Sequence, residues 1–245
     1  MSLKDYQVAA VTGASSGIGA AVASDLSRRG LTVHAIARRE DRLADLNGCC
    51  IHVLDVRNTK ALTSLLKSLG VNILVNNAGV GRGFGSVAEA DPIDIDCTLD
   101  TNVRSVVHAV HAVLPSMIDK GSGHIINIGS MAGLYPLSAA VYGASKGALH
   151  LLSMDLRMEL QGTGVRVTEI CPGRVRTEFY DNAFKNPEDI RRIKHSGIEE
   201  LTSENVSASV MHALEAPWHV NINRIELQPT EQTYGGSEFT PRKVR

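Results

Sequence analysis

The chain has little that would carry it into a membrane or onto nucleic acid. No apolar run approaches the ~18 residues that a bilayer crossing needs, and the apolar stretch at residues 8–11 is too short to act as a secretory signal core. There is no basic excess: 25 Lys and Arg stand against 26 Asp and Glu, spread along the sequence, for a net charge of −1. A nucleic-acid face needs clustered positive charge, so that partner is excluded. The four cysteines, Cys49, Cys50, Cys97 and Cys171, show no C-x-x-C spacing and no histidines placed to complete a metal site. The expectation is four reduced, mostly buried thiols, no metal and a cytoplasmic location. Internal repeats and low-complexity blocks are also missing.

What is present is enough for one compact domain over residues 1–245. Hydrophobic residues make up 43% and charged residues 21%, a balance that can bury a large core. Apolar segments of strand length recur at 8–12, 32–37, 51–54, 73–75, 124–128, 165–170 and 224–227, with helix-like stretches between most of them. That alternation predicts a doubly wound α/β fold: a parallel Rossmann-type sheet with helices on both faces and right-handed crossovers.

The first strand runs into Gly13-Ala14-Ser15-Ser16-Gly17-Ile18-Gly19 and then a helix-like stretch at 20–29. Strand, tight glycine loop and helix N-terminus form a phosphate cradle. Gly13 permits a turn with positive φ, Gly17 allows backbone to approach a pyrophosphate, and Gly19 lets the helix pack closely on the strand. Further along, Tyr142 and Lys146 stand four residues apart, so a helix through them puts phenol and ammonium on one face. A free tyrosine has a pKa near ~10, and a cation one turn away favours the phenolate. The pair is an acid–base device if the helix forms.

These motifs, in this order, resemble the short-chain dehydrogenase/reductase family in its single-domain branch, and the likeness spans nearly the whole chain. Thr12 to Gly19 resembles the cofactor loop, and Asn76-Asn77-Ala78-Gly79 the motif ending the fourth strand. Asn102, Ser130, Tyr142 and Lys146 match the catalytic set, and Pro172-Gly173-Arg174-Val175-Arg176-Thr177 the segment after the sixth strand. Twelve positions separate Ser130 from Tyr142, one fewer than is usual in the family. The resemblance implies hydride transfer between a nicotinamide and a carbonyl or alcohol carbon. Tyr142 would exchange the proton, Lys146 would tune it and hold the nicotinamide ribose, and Ser130 would stabilise the substrate oxygen. Asn102 would hold a water leading to Lys146; without the resemblance it reads equally as a surface polar residue. Asp55 and Val56 would border the adenine, Asn76, Ala78 and Gly79 would line the cofactor, and Val175 and Thr177 would hold the carboxamide beside Pro172 and Gly173.

The end of the second strand selects the nicotinamide. Ala37-Arg38-Arg39 stands where an NAD enzyme places an acidic residue, so NADP(H) is the expected cofactor. Arg38 is the favoured phosphate ligand, with Arg39 and Ser15 as helpers; Arg39 reads equally as the solvated start of a helix. Residues 174–201 lack strand periodicity and form a candidate lid. Several framework stretches resemble the NADP-dependent 3-hydroxy acid dehydrogenase subgroup. That likeness would make Arg174 or Arg176 a carboxylate clamp, with Met131 and Tyr135 along the pocket. The resemblance also implies a homodimer or homotetramer built on the two long helices and the last strand, with residues 235–245 as a mobile end or a subunit contact. Two alternatives stand beside this reading. One is an NADP-binding sensor without catalysis, which would be free to lose Tyr142 or Lys146. The other is a sugar-nucleotide epimerase, which would carry a longer C-terminal substrate domain.

Overall fold

The computed structural model describes residues 3–184, 186–194, 196–233 and 239–242. Seven parallel strands form one sheet: β1 (Val8–Thr12), β2 (Thr32–Ala37), β3 (Cys49–Val53), β4 (Ile73–Asn76), β5 (Gly123–Ile128), β6 (Val165–Pro172) and β7 (Arg224–Leu227). Their order is β3-β2-β1-β4-β5-β6-β7, so the winding reverses between β1 and β4. Each segment anticipated from the apolar pattern is a strand, with ends moved by at most two residues.

Alternate side chains of one strand enter opposite cores, as a period of two requires. Ala9 and Val11 of β1, Ile73 and Val75 of β4, and Ile126 and Ile128 of β5 pack in one hydrophobic cluster. Ala10, Leu74 and Ile125 pack in the other. The first cluster is covered by α1 (Gly17–Arg28), through Val22 and Leu26. The second is covered by α3 (Thr59–Leu69), α5 (Ser105–Asp119) and α6 (Ala140–Glu159), through Leu62, Leu66, Val110, Met117, Leu149 and Leu156. Each fully buried leucine of this kind contributes about 1.5–3 kcal/mol relative to an exposed one. Between α1 and α3 lies the short α2 (Glu40–Ala44); between α3 and α5 lies α4 (Pro92–Leu99), capped by Asp91 and opened by Pro92.

The described residues of 174–201 carry two short helices, α7 (Phe179–Ala183) and α8 (Pro187–Lys194), and one isolated bridge, Val175 to Leu201. Helix α9 (Ser203–Glu215) then packs on α1, its start fixed by a capping box in which Thr202 and Asn205 exchange side-chain and backbone hydrogen bonds. No helix among the described residues is long and apolar enough to cross a membrane. All four cysteines are free thiols, but only Cys97 and Cys171 are buried; Cys50 is exposed, contrary to expectation, because β3 is the sheet edge. Of the C-terminal tail, residues 235–238 and 243–245 lie outside the described residues. Gln232 bridges Phe239, and the Thr240 amide donates to the Glu231 carbonyl at 2.9 Å, so the described part of the tail turns back on the residues before it.

Candidate active site

The ends of β1, β4, β5 and β6 meet at the point where the winding reverses, and a cleft of about 680 Å³ opens there. Its floor begins at the glycine loop. Gly13 has φ +67° and Gly17 φ +57°, both in the left-handed region that glycine alone occupies without strain. A Cβ on Gly13 would lie 2.8 Å from the Ala78 Cα, so the loop and the end of β4 touch backbone to backbone. Asn77 pins them together: its Nδ2 donates to the Thr12 and Gly13 carbonyls at 2.9 and 3.2 Å. The Thr12 hydroxyl accepts from the Asn77 and Ala78 amides at 3.1 Å.

Ser15, Ser16, Gly17, Ile18, Asp55, Val56, Ala78, Gly79, Pro172, Gly173, Val175 and Thr177 all line the cleft. Gly19 does not. It packs beneath the loop, where a Cβ would meet Asn77 Nδ2 and the Gly13 carbonyl oxygen at 2.4 and 2.5 Å. Asn76 is also set apart: its side chain donates to Asn127 Oδ1 at 2.9 Å in the buried layer between sheet and α6. Strand parity turns it away from the cleft, and Asn77 faces the cleft in its place.

Both arginines that follow β2 line the cleft, in different surroundings. Arg38 is mostly exposed, with its guanidinium 3.9 Å from Asp55. Arg39 enters the cleft mouth, where its Nη2 donates to the Ser16 and Ser15 hydroxyls at 2.6 and 3.2 Å and its Nη1 to Glu178 at 2.8 Å. Arg39 is thus both the half-exposed N-cap of α2 and a neighbour of the glycine loop.

Ser130, Tyr142 and Lys146 come together on the opposite wall. Ser130 follows β5, and its hydroxyl accepts from the Ala132 amide at 3.1 Å and acts on the Tyr142 phenol so as to favour its ionised form. Tyr142 and Lys146 lie on α6, and Lys146 Nζ is 6.0 Å from the Tyr142 ring centroid while donating to the Ile128 carbonyl at 2.7 Å. Both side chains are buried. Burial therefore decides the tyrosine: it raises the phenol pKa above its ordinary value, outweighing the lowering by Ser130. The lowering expected from the lysine does not decide the tyrosine, because burial is the larger effect; Lys146, its Nζ 6.0 Å from the ring centroid, is itself desolvated and pushed down to about 8. Cys171 and the Glu169 carboxylate oppose that shift. Burial holds the Cys171 thiol neutral, so Glu169 carries the opposing charge. Glu169 is buried and pairs with His150 at 2.7 Å.

Asn102 is buried, contrary to its reading as a surface residue. It sits in a π-helical stretch, Asp100–Arg104, between α4 and α5, where the ordinary ladder is interrupted. Its side chain clamps Val80 through both backbone groups, at 2.9 and 2.8 Å, and donates to the Ser145 hydroxyl at 2.9 Å. The side chain thus ties α6 to the loop after β4.

Aromatic residues form the outer wall, and sequence reasoning passed over them. The chain has four phenylalanines, Phe84, Phe179, Phe184 and Phe239, and every one lines this cleft. Phe84 stacks on Tyr142 with centroids 5.5 Å apart, and Phe179 approaches the same ring at 5.3 Å. The signal was available: aromatics are only 4% of the chain, yet Phe179, Tyr180 and Phe184 fall within six positions of the anticipated lid. Met131 and Tyr135 line the cleft as expected. Arg174 is buried there, donating to Glu200 at 2.7 Å with its guanidinium 4.5 Å from the Tyr180 ring centroid. Arg176 is exposed and lies outside the cleft, on an adjoining groove.

Comparison with known proteins agrees with this geometry. Residues 7–188 match the family described as short chain dehydrogenase. The chain is 40% identical over 238 residues to the NADP-dependent 3-hydroxy acid dehydrogenase YdfG of Escherichia coli (strain K12), covering 92% of this chain and 96% of that protein. It is 37% identical to sulfoacetaldehyde reductase 2 of Chromohalobacter salexigens, over 91% of this chain and 94% of that one. A solved structure described as the closed form of serine dehydrogenase complexed with NADP+ superposes with a TM-score of 0.89 at 38% identity, covering 96% of this chain and all of that one. With the parallel sheet, the glycine loop and the Ser130, Tyr142 and Lys146 cluster all in place, the chain belongs to the short-chain dehydrogenase family.

Proposed function

We propose that the chain interconverts a small 3-hydroxy acid and its aldehyde or keto form with NADP(H). The observation that carries the reading is the Tyr142 phenol at the cleft wall, beside Ser130 and with Lys146 one turn along the same helix. The cofactor suits the residues present. The glycine loop leaves open a cradle that a Cβ on Gly13 would disturb, and Arg39 with Ser15 and Ser16 offers donors to a 2′-phosphate. Bound NADPH supplies the hydride.

The rest is done by the chain. Ser130 donates a hydrogen bond to the substrate carbonyl oxygen and favours charge developing there. Burial keeps the Tyr142 phenol protonated, so it is ready to give its proton to the forming alkoxide. Phe84 and Phe179 exclude water from that step. Lys146, held by the Ile128 carbonyl, presents positive charge beneath the phenol. Since Lys146 loses its proton near pH 8, kcat/KM for reduction should fall with an alkaline limb near that pH; a limb displaced to ordinary lysine values, above pH 10, would remove the buried-lysine account.

Arg174, buried in the pocket and oriented by Glu200, is the remaining candidate for the acid group of the substrate. Turnover measured by nicotinamide absorbance over aldehydes with and without a carboxylate or sulfonate tests this. Equal kcat/KM for the uncharged aldehydes would defeat the hydroxy-acid assignment, and cofactor binding without any turnover would favour the sensor alternative. For the cofactor, Arg39→Ala should weaken NADPH binding by roughly tenfold to a hundredfold, the worth of a charge-assisted hydrogen bond or two, with NADH little changed. Arg38→Ala should do less; the reverse ranking, read by fluorescence titration, would return the phosphate to Arg38.

A homo-oligomer is part of the same reading. Val107 and Ile118 on α5, and Leu151, Met154 and Met158 on α6, expose apolar side chains that a second copy would cover. Sedimentation showing a monomer at micromolar concentration would end it. The free thiols, Cys50 among them, suit a reducing cytoplasm.

A further inference from the structure

Glu178 stands at the junction of two parts of the cleft that are far apart in sequence. It immediately precedes α7, which carries Phe179 and Tyr180 onto the substrate side. Its carboxylate reaches across the mouth to two arginines at the start of α2: Oε2 accepts from Arg39 at 2.8 Å and Oε1 from Arg42 at 3.4 Å. The same Arg39 guanidinium holds the Ser15 and Ser16 hydroxyls of the glycine loop. A carboxylate thus occupies donors that suit an anion, and both arginines hold Glu178 below the usual carboxylate range, Arg39 foremost.

We propose that Glu178 is a selectivity-setting residue that competes with the 2′-phosphate of the cofactor for Arg39 and Arg42. The competition is electrostatic. Two anions cannot both take the inner face of one guanidinium, because they repel each other across a few ångströms. Phosphate, with more charge and more acceptor oxygens, displaces the carboxylate. A nucleotide with only a 2′-hydroxyl brings no charge to the arginines and leaves the Arg39–Glu178 pair intact. The pair therefore lowers the affinity for the phosphorylated nucleotide below what the arginines alone would give. It also links phosphate arrival to the segment that bears Phe179, whose ring lies 5.3 Å from the Tyr142 ring. Both partners are about two-fifths exposed, so the effect is moderate.

The inference rests on the cleft being an NADP site, and the experiment separates the two. Calorimetric titration of wild type and Glu178→Gln with 2′,5′-ADP and with 5′-ADP needs neither substrate nor turnover. The variant should bind 2′,5′-ADP about threefold to tenfold more tightly than wild type, with 5′-ADP unchanged and the gain shrinking as salt rises. Glu178→Asp, with a shorter reach to Arg39, should gain less and provides the measurement if Glu178→Gln is poorly folded. Wild type that does not prefer 2′,5′-ADP over 5′-ADP would defeat the cofactor reading and this proposal with it. A wild-type preference for 2′,5′-ADP that is unchanged or reduced in Glu178→Gln would overturn the competition alone.

Discussion

Tyr142→Phe should lower turnover by roughly a thousandfold, the middle of the range for loss of a general acid, while NADPH affinity stays within about twofold. The ring is fixed on three sides by Phe84, Phe179 and the body of α6, so phenylalanine keeps the packing and removes one oxygen. The Ser130 hydroxyl then loses the phenol beside it but can still reach the substrate oxygen. Steady-state turnover beside a fluorescence titration separates the outcomes. Equal activity in the variant would refute the proton donor, whereas parallel loss of turnover and NADPH binding would mean that the ring, and not its hydroxyl, shapes the cofactor side.

Gly13→Ala should abolish measurable NADPH binding and lower stability by several kcal/mol. Two penalties coincide at that position. The φ of +67° costs an L-residue roughly 1–2 kcal/mol, and the new Cβ would sit 2.8 Å from backbone at Ala78, which has no rotamer to yield with. Gly121 separates the two terms. Its φ of +60° imposes the same conformational cost, but nothing lies within 4 Å of its Cβ position. Gly121→Ala should therefore cost only about 1–2 kcal/mol and leave the cofactor site untouched. Thermal unfolding with and without NADPH measures both. Similar losses in the two variants would show that the close approach of the glycine loop to β4 carries no weight.

Several parts of the site were legible because they depend on local spacing. The interval from Tyr142 to Lys146 is one helical turn, so the pair shares a face wherever that helix lies. Gly13 and Gly17 were readable because a strand ending on a helix needs a tight turn between them. Other parts depended on which segments become neighbours. Asn76 and Asn77 are chemically identical, and only the register Asn76↔Asn127 between β4 and β5 shows that the first is buried and the second faces the cleft. Arg38 and Arg39 are adjacent, and their roles separate only when the lid brings Glu178 to one of them. The aromatic wall joins positions 84, 142, 179, 184 and 239, which no window along the chain can associate.

The direction of the Tyr142 pKa belongs to the same class. From spacing alone, a lysine one turn away pulls a phenol toward ionisation. In the folded chain the lysine donates to Ile128 instead, both groups are dehydrated, and burial wins.

By itself, the sequence determined the alternating strand and helix pattern, the glycine loop, and the spacing that puts Tyr142 and Lys146 on one helix face, because hydrophobic period, turn chemistry and helical pitch act over a few residues. Only the tertiary structure decided which arginine meets the glycine loop, how the phenylalanines enclose Tyr142 and how strongly water is excluded from it. Those properties come from distant segments converging where the sheet reverses its winding, and desolvation is a property of the finished enclosure.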